Sequence, residues 1–257
     1  PETTGAIVSQ FYLALEKCFE MKLGEFVLIE KDGDVSIINP ITSDDGIQIE
    51  LKEYADDNYL TDSHSNFWNT LKNWLNPAFD SSKYKCLILA TTQDFGVKSA
   101  FLKWNESNSN ERLGILEEIL KKAKERVEKS STKKDTKTKE PNSLKLMNEV
   151  FKDREKLIKI IEKIFIDNLR TRRDKIVDDI KEKYLKSFPL QNQDIALKSI
   201  LGYVVNEEDY NDGWEISYDG FKQEMEDLSS KFNSETKLFP TKEELKIIPE
   251  AEAEKIL

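Results

Sequence analysis

One stretch, residues 25–52, constrains the fold of this chain more than any other. It reads EFVLIEKDGDVSIINPITSDDGIQIELK, with three short apolar runs separated by turn-forming residues. The dipeptide Asp32-Gly33 between two apolar runs predicts a two-residue β-hairpin turn, because both turn positions favour positive φ. Asp34 is then the first residue of the second strand. The third run alternates strictly, which predicts a strand with one apolar and one polar face.

The polar face of this third strand carries chemically active side chains. Gln48, Glu50 and Lys52 occupy it, although strand interiors normally exclude Glu and Lys. With Asp34 they form a candidate Mg²⁺ site, since Mg²⁺ takes oxygen ligands from one or two carboxylates and keeps several waters. The backbone carbonyl of Leu51 is a further candidate ligand. The alternative is a hairpin with a solvated charged face, because a Glu-x-Lys tripeptide alone is common in a chain that is 34% charged.

Helices and one further strand are predicted around this stretch. Residues 5–21 have the apolar spacing of a helix, and a second amphipathic helix follows, capped by Ser63 or Ser65. The continuous apolar run at 84–92, YKCLILATT, is typical of a buried strand. A charged amphipathic helix is expected at 111–128. The predicted order is helix, hairpin, third strand, helix, fourth strand, helix.

Residues 144–257 show a different pattern from residues 1–128. Residues 129–143, KSSTKKDTKTKEPNS, are poor in apolar side chains and predict a flexible linker. Beyond them, residues 144–169 predict one long amphipathic helix, and further helices follow with one short strand-like piece at 214–218. We therefore expect an α/β domain at 1–128, a linker at 129–143 and a mostly helical interaction or oligomerisation domain at 144–257.

The residues in this order resemble the PD-(D/E)xK nuclease superfamily. GAIVSQ at 5–10, followed by EKDGDVSI at 30–37 and IQIELK at 47–52, is similar to the double-stranded DNA endonuclease effector domains of the bacterial anti-phage systems CBASS and Lamassu. The resemblance covers about residues 1–125 and implies a restriction-endonuclease-like mixed sheet flanked by helices. The chain departs from the motif at Gly33, which stands where the motif's name has Pro.

The resemblance assigns roles to individual residues. Asp34 matches the metal-binding Asp, Glu50 the second acidic ligand and Lys52 the motif lysine. The implied cofactor is Mg²⁺ or Mn²⁺. Gln10 lies in the first helix, where relatives carry a Glu or Gln that supports the metal site.

Three further residues are candidates for supporting roles. Glu30 lies on the opposite face from the site if the turn has two residues, whereas a longer turn brings it in. Gln48 shares the polar face with Glu50. His64, the only histidine, begins the second helix, where it either contacts a phosphate or serves as a polar helix-start residue.

The function implied by the resemblance is a Mg²⁺-dependent endonuclease that cleaves double-stranded DNA. It would be the effector subunit of an anti-phage complex with an SMC-like ATPase. The net charge of −10 fits an effector that acts only when oligomerised or delivered to DNA. Two alternatives stay open: a non-catalytic scaffold that retains the nuclease fold, and a structure-selective or RNA nuclease on the same fold.

The composition of the chain indicates the cellular compartment in which we expect the protein. No signal peptide opens the chain, and no apolar run approaches the roughly 20 residues that span a bilayer. The two cysteines, Cys18 and Cys86, lack metal-ligand spacing and predict buried free thiols in a reducing compartment. We expect a cytoplasmic protein with no membrane partner.

Overall fold

The protein is a mixed α/β structure. A computed structural model describes residues 2–42, 44–52, 59–131, 141–168, 173–206 and 214–235. Within them the strands are β1 (Phe26–Ile29), β2 (Val35–Ile38), β3 (Gly46–Lys52), β4 (Tyr84–Thr91), β5 (Ile164–Asp167) and β6 (Trp214–Ser217).

Helices cover much of the remaining described chain. None of those described is both long and apolar enough to cross a membrane. The α-helices are α1 (Glu2–Glu20), α2 (Ser65–Trp74), α3 (Ser109–Ser131), α4 (Asn142–Val150), α5 (Arg154–Lys163), α6 (Arg173–Tyr184), α7 (Gln193–Val205) and α8 (Tyr218–Glu235), with short 3₁₀ helices at Ser81–Lys83, Ala100–Glu106 and Leu190–Asn192.

The six strands form one sheet in the order β5-β4-β3-β2-β1-β6. β1, β2 and β3 are an antiparallel meander, whereas β4 pairs parallel with both β3 and β5. β6 pairs antiparallel with the outer side of β1. The order predicted for residues 5–128, including the hairpin and the buried fourth strand, is therefore present.

Two apolar cores cover the two faces of the sheet. One is built largely from α1, α6, α7 and α8, and it receives Val27, Val35 and Ile49 from the meander. The other contains side chains of α2, α3, α4 and α5, with Leu87 and Leu89 from β4. Since side chains alternate along a strand, the polar residues of β3 point toward the second core. The candidate site therefore lies on the same face as α2.

Strands from the second half of the chain complete both edges of this sheet. β5 and β6 follow residues 129–143 in sequence, and both apolar cores include residues from either side of that segment. α3 continues to Ser131 and α4 begins at Asn142; residues 132–140 of the predicted linker lie outside the described residues. Residues before and after 129–143 thus contribute to one sheet and to both apolar cores.

The prediction of one long helix over residues 144–169 is wrong. The helix ends at Val150, and Asp153 begins the next by accepting the Lys156 backbone N–H at 2.9 Å. The following residues form β5, because β-branched and aromatic side chains suit a pleated surface beside β4. The side chain of Asn105 accepts the Ile166 N–H and donates to its carbonyl, at 2.9 and 2.8 Å, on the outer edge of β5.

The cysteines differ in burial. Cys18 of α1 is buried in the core, whereas Cys86 of β4 is partly exposed, so the prediction of a buried thiol is wrong for Cys86. Both are free thiols, and burial raises the pKa of each.

Candidate functional site

The hairpin loop between β1 and β2 is longer than the sequence predicts. The strand ladder ends at the pair Ile29 and Val35, so the loop has five residues, 30–34. Glu30 has φ of +57° and its N–H donates to the Asp34 carbonyl at 3.1 Å. The predicted two-residue turn at Asp32-Gly33 is therefore wrong. The longer turn places Glu30 beside Asp34.

The Asp34 carboxylate joins three elements of the fold. Its Oδ1 accepts a hydrogen bond from the Gln10 amide of α1 at 2.7 Å. Its Oδ2 accepts the backbone N–H of Leu51 in β3 at 2.6 Å. Charge-assisted hydrogen bonds of this length hold a carboxylate firmly in one orientation. Gln10 and Asp34, which are 24 residues apart in sequence, are therefore in direct contact, and the supporting role that the resemblance implies for Gln10 stays a prediction.

Glu50 and Lys52 are in contact on β3. Lys52 Nζ lies 3.2 Å from Glu50 Oε2. The side chain of Lys52 is 25% exposed and that of Glu50 is 12% exposed. The Gln48 amide donates to Glu50 Oε1 at 3.3 Å, so both carboxylate oxygens accept hydrogen bonds from the protein. The face shared by these three residues is the one that period-two alternation predicts.

The backbone of Leu51 faces the same carboxylate cluster. In an extended strand the N–H and C=O of one residue point to the same side, as in the hydrogen-bonded pairs of an antiparallel ladder. Because the Leu51 N–H reaches Asp34, its carbonyl also points toward the side of β2, beyond the last pair Val35 and Ile49. Its proposed role as a metal ligand stays a prediction.

Gln48 is held by a residue that the sequence does not link to the site. Its Oε1 accepts the indole N–H of Trp74, the last residue of α2, at 2.6 Å. Gln48 is fully buried and Trp74 is 2% exposed. Trp74 therefore belongs to the core, but it also fixes a side chain of the polar face.

Gly33 packs directly against this face. A Cβ at Gly33 would lie 1.9 Å from Gln48 Nε2 and 3.0 Å from Glu50 Oε1, and its φ is +118°. Proline, whose φ is fixed near −65°, cannot adopt this conformation. The presence of glycine rather than proline at position 33 thus has a local structural reason.

Desolvation is the largest cause that raises the pKa of Glu30, Asp34 and Glu50. Glu50 is buried and Asp34 is partly buried, whereas much of Glu30 is exposed. The charge of Asp34 raises the pKa of Glu30 and Glu50 further, while Lys52 lowers the pKa of each group. The hydrogen bond from Gln10 also lowers the pKa of Glu30 and Asp34. Lys52 and Gln10 thus offset only part of the cost of gathering these charges.

His64 caps α2. Its Nδ1 accepts the Asn66 backbone N–H at 3.3 Å, and its backbone is extended as in an N-cap residue. The cap is therefore His64 rather than the predicted Ser63 or Ser65. This is the polar helix-start role that the sequence allowed for His64; contact with a phosphate stays a prediction.

Comparisons with known proteins establish no family. No protein-family model matches the chain, and no curated protein matches it significantly. Among solved structures it is similar to a Cap4 SAVED/CARF-domain containing receptor of Moraxella osloensis, at 14% sequence identity and a TM-score of 0.48. The match covers 92% of this chain but only 50% of that protein. The chain thus spans about half the length of the protein it matches, and the similarity is too low to bear on activity.

The donor atoms at this end of the sheet suit a hard divalent cation. Asp34 and Glu50 offer carboxylate oxygens, and Leu51 a backbone carbonyl, which are the ligand types that Mg²⁺ prefers. In the described part of the chain, no group of three or more His, Cys, Asp and Glu side chains is arranged to hold a metal ion. A cation would therefore be held by one or two carboxylates together with water.

Proposed function

We propose that this chain is a Mg²⁺-dependent endonuclease with a restriction-endonuclease-like fold. The observation that carries the proposal is the meeting of Asp34, Glu50 and Lys52 at one end of β3. Two partly buried carboxylates whose pKa values are raised, with a lysine beside them, favour uptake of a cation and binding of an anionic phosphate. The topology supports it as well, since α1, the meander, α2 and the parallel strand β4 follow the order of that nuclease fold.

Each residue has a defined part in this proposal. Asp34 and Glu50 hold the cation, which when bound supplies the Lewis acidity that phosphodiester hydrolysis needs. Gln10 and the Leu51 N–H orient Asp34. Lys52, whose side chain is 25% exposed, presents its ammonium to the scissile phosphate, where negative charge grows in the transition state.

Cleavage of supercoiled plasmid with Mg²⁺ tests the proposal. Glu50→Ala and Lys52→Ala should each abolish degradation while circular dichroism stays that of the folded protein. Full plasmid cleavage by both variants would show that Glu50 and Lys52 are not the catalytic residues. A panel of double-stranded DNA, single-stranded DNA, branched DNA and RNA separates the double-stranded DNA endonuclease from a structure-selective or RNA nuclease on the same fold.

A place in an anti-phage complex is part of the proposal and rests on the resemblance at residues 5–10, 30–37 and 47–52. The partner would be an SMC-like ATPase, and activation would involve oligomerisation. Co-purification with such an ATPase encoded beside the gene tests the partner. Light scattering with and without DNA tests the oligomeric state.

A non-catalytic scaffold is the second candidate, and one observation favours it. Both carboxylate oxygens of Asp34 and of Glu50 accept hydrogen bonds from protein donors, so the cluster is satisfied by the protein itself. A scaffold predicts no heat above buffer when Mn²⁺ is titrated into the folded protein. The nuclease predicts a saturable signal.

A further inference from the structure

A chain of hydrogen bonds runs from the apolar core to the candidate metal ligand Glu50. The Trp74 indole donates to Gln48 Oε1 at 2.6 Å, and the Gln48 amide donates to Glu50 Oε1 at 3.3 Å. Trp74 and Gln48 are 26 residues apart and lie on α2 and β3. The buried Gln48 amide thus connects Trp74 of α2 to Glu50 through two hydrogen bonds.

The direction of this chain follows from the chemistry of its first member. An indole N–H only donates, so the amide oxygen of Gln48 must face Trp74 and its NH₂ group must face Glu50. Reversing the amide would set two donors against each other at a fully buried position. Gly33 closes the other side, since its backbone lies too near the Gln48 amide to leave room for a Cβ.

We propose that Gln48, locked by Trp74, is a positioning residue that orients the Glu50 carboxylate for divalent cation binding. The inference rests on the proposed function of Glu50. The hydrogen bond from Gln48 fixes Oε1, while Oε2 accepts one hydrogen bond from Lys52 and keeps a second lone pair for the cation. Without that hydrogen bond the Glu50 carboxylate turns about its terminal bond, and binding must first restore its orientation.

The expected size of the effect follows from comparable sites. Residues that orient a metal ligand through a hydrogen bond typically change metal affinity or activity about 10- to 100-fold when they are replaced. The loss should appear as weaker cation binding and be restored by excess cation, because the ligand itself is intact. A general loss of stability would not respond to cation in this way.

Helix α2 offers a matched pair of tryptophans for the test. Trp74 and Trp68 are both buried in the same core, and each indole donates one hydrogen bond. The indole of Trp68 donates to the Asp62 carbonyl at 3.0 Å, with no part in the hydrogen bonds of Gln48 and Glu50. Trp74→Phe and Trp68→Phe therefore remove comparable packing and one N–H each, and only the first breaks the link to Gln48.

Calorimetric titration of Mn²⁺ and plasmid cleavage at varied Mg²⁺ concentration give the readout. We expect Trp74→Phe to weaken Mn²⁺ binding about 10- to 100-fold and to raise the Mg²⁺ concentration for half-maximal cleavage by a similar factor, and Trp68→Phe to change neither. Equal effects of the two substitutions overturn the inference, because they would reflect packing alone. Gln48→Met, which keeps the side-chain length but lacks the amide, should match Trp74→Phe and provides the test if that variant does not fold.

A double-mutant cycle and an indole resonance separate the two proposals. If Gln48 and Trp74 act as one unit, the double variant binds Mn²⁺ no more weakly than either single variant, whereas additive losses contradict the link.

If the wild-type protein gives no heat at all, the proposed function fails instead. In that case the Trp74 indole N–H resonance of the metal-free protein still reports the link: it should shift in Glu50→Gln while that of Trp68 does not. An unchanged Trp74 resonance overturns the link.

Discussion

The Asp34 carboxylate accepts the backbone N–H of Leu51 at 2.6 Å and thereby extends the pairing of β2 with β3 by a side chain. The backbone pairing of the two strands itself ends at Val35 and Ile49. A candidate metal ligand is thus also a structural tie between the hairpin and β3. Substitutions of Asp34 should therefore separate the two roles.

Asp34→Asn and Asp34→Ala should differ in stability but not in activity. Asparagine keeps an oxygen that can accept the Leu51 N–H, whereas alanine leaves that donor without its acceptor, at a cost of about 1–3 kcal/mol. We expect both variants to lose Mg²⁺-dependent cleavage, and only Asp34→Ala to unfold at clearly lower urea concentration. Equal unfolding midpoints for the two variants would show that the Leu51 contact contributes little to stability.

The carboxylates of the candidate site should make the metal-free protein less stable as pH rises. Because the pKa values of Glu30, Asp34 and Glu50 are raised, the folded protein holds protons there more tightly than the unfolded chain. The contribution of these three groups to the free energy of unfolding therefore declines from the ordinary carboxylate range, roughly pH 4, up through the raised pKa values, and stays low above them. Urea unfolding in EDTA across this range measures the decline.

Glu50→Gln should make that decline smaller. The variant lacks one of the desolvated charges, so we expect its metal-free form to be at least as stable as the wild type at neutral pH. Glu149→Gln is the matched control: the hydrogen bond to Lys72 lowers the pKa of the exposed Glu149, so its loss acts in the opposite direction. The free energy of unfolding is compared between the wild type and Glu50→Gln across this pH range in EDTA. If it rises with pH to the same extent in both proteins, the Glu50 charge is not desolvated at this site.

Gly33→Ala should damage the site, whereas Gly114→Ala should not. At Gly33 a Cβ meets the Gln48 amide at 1.9 Å and the backbone has positive φ, a strain of about 1–3 kcal/mol. At Gly114, within α3, nothing lies within 4 Å of a Cβ, so alanine should stabilise the protein by about 0.4–1 kcal/mol. Thermal unfolding and Mn²⁺ affinity measure both. Wild-type affinity in Gly33→Ala would mean that Gln48 can move aside without consequence.

Lys52→Met should abolish plasmid cleavage without weakening Mn²⁺ binding. Removing the ammonium near the cluster leaves Asp34 and Glu50 without its attraction, so the metal-free variant should be less stable at neutral pH. Mn²⁺ affinity should be equal or higher, because a repelling positive charge is gone, while plasmid cleavage is lost. Lys31→Met serves as control, since Lys31 lies in the same hairpin loop but pairs with Glu215 at 3.2 Å. Cleavage at the wild-type rate by Lys52→Met would exclude its proposed role.

Local patterns predicted the polar face of β3 correctly. Alternation with a period of two is a property of the strand itself, so Gln48, Glu50 and Lys52 were placed together from the sequence. The proximity of Gln10 to Asp34 came from the family resemblance, and the structure places them 2.7 Å apart. The catalytic roles of these residues stay predictions.

Features set by tertiary contacts were missed. Asp32-Gly33 favours a two-residue turn, but the hairpin uses a five-residue loop in which Glu30 has positive φ, a conformation that no local signal marks. The hydrogen bond of Trp74 to Gln48 joins residues 26 apart and has no signature in either segment. Likewise β5 extends directly from α5, because the edge of β4 provides a partner for it.

Calorimetric titration of Mn²⁺ into the metal-free protein tests directly whether Asp34 and Glu50 bind a divalent cation. We expect saturable binding by the wild type and no binding by Glu50→Ala or Asp34→Ala, with folding verified by circular dichroism. Folded wild-type protein that releases no heat beyond dilution, or variants that bind as tightly as the wild type, would contradict a metal-dependent nuclease built on these carboxylates.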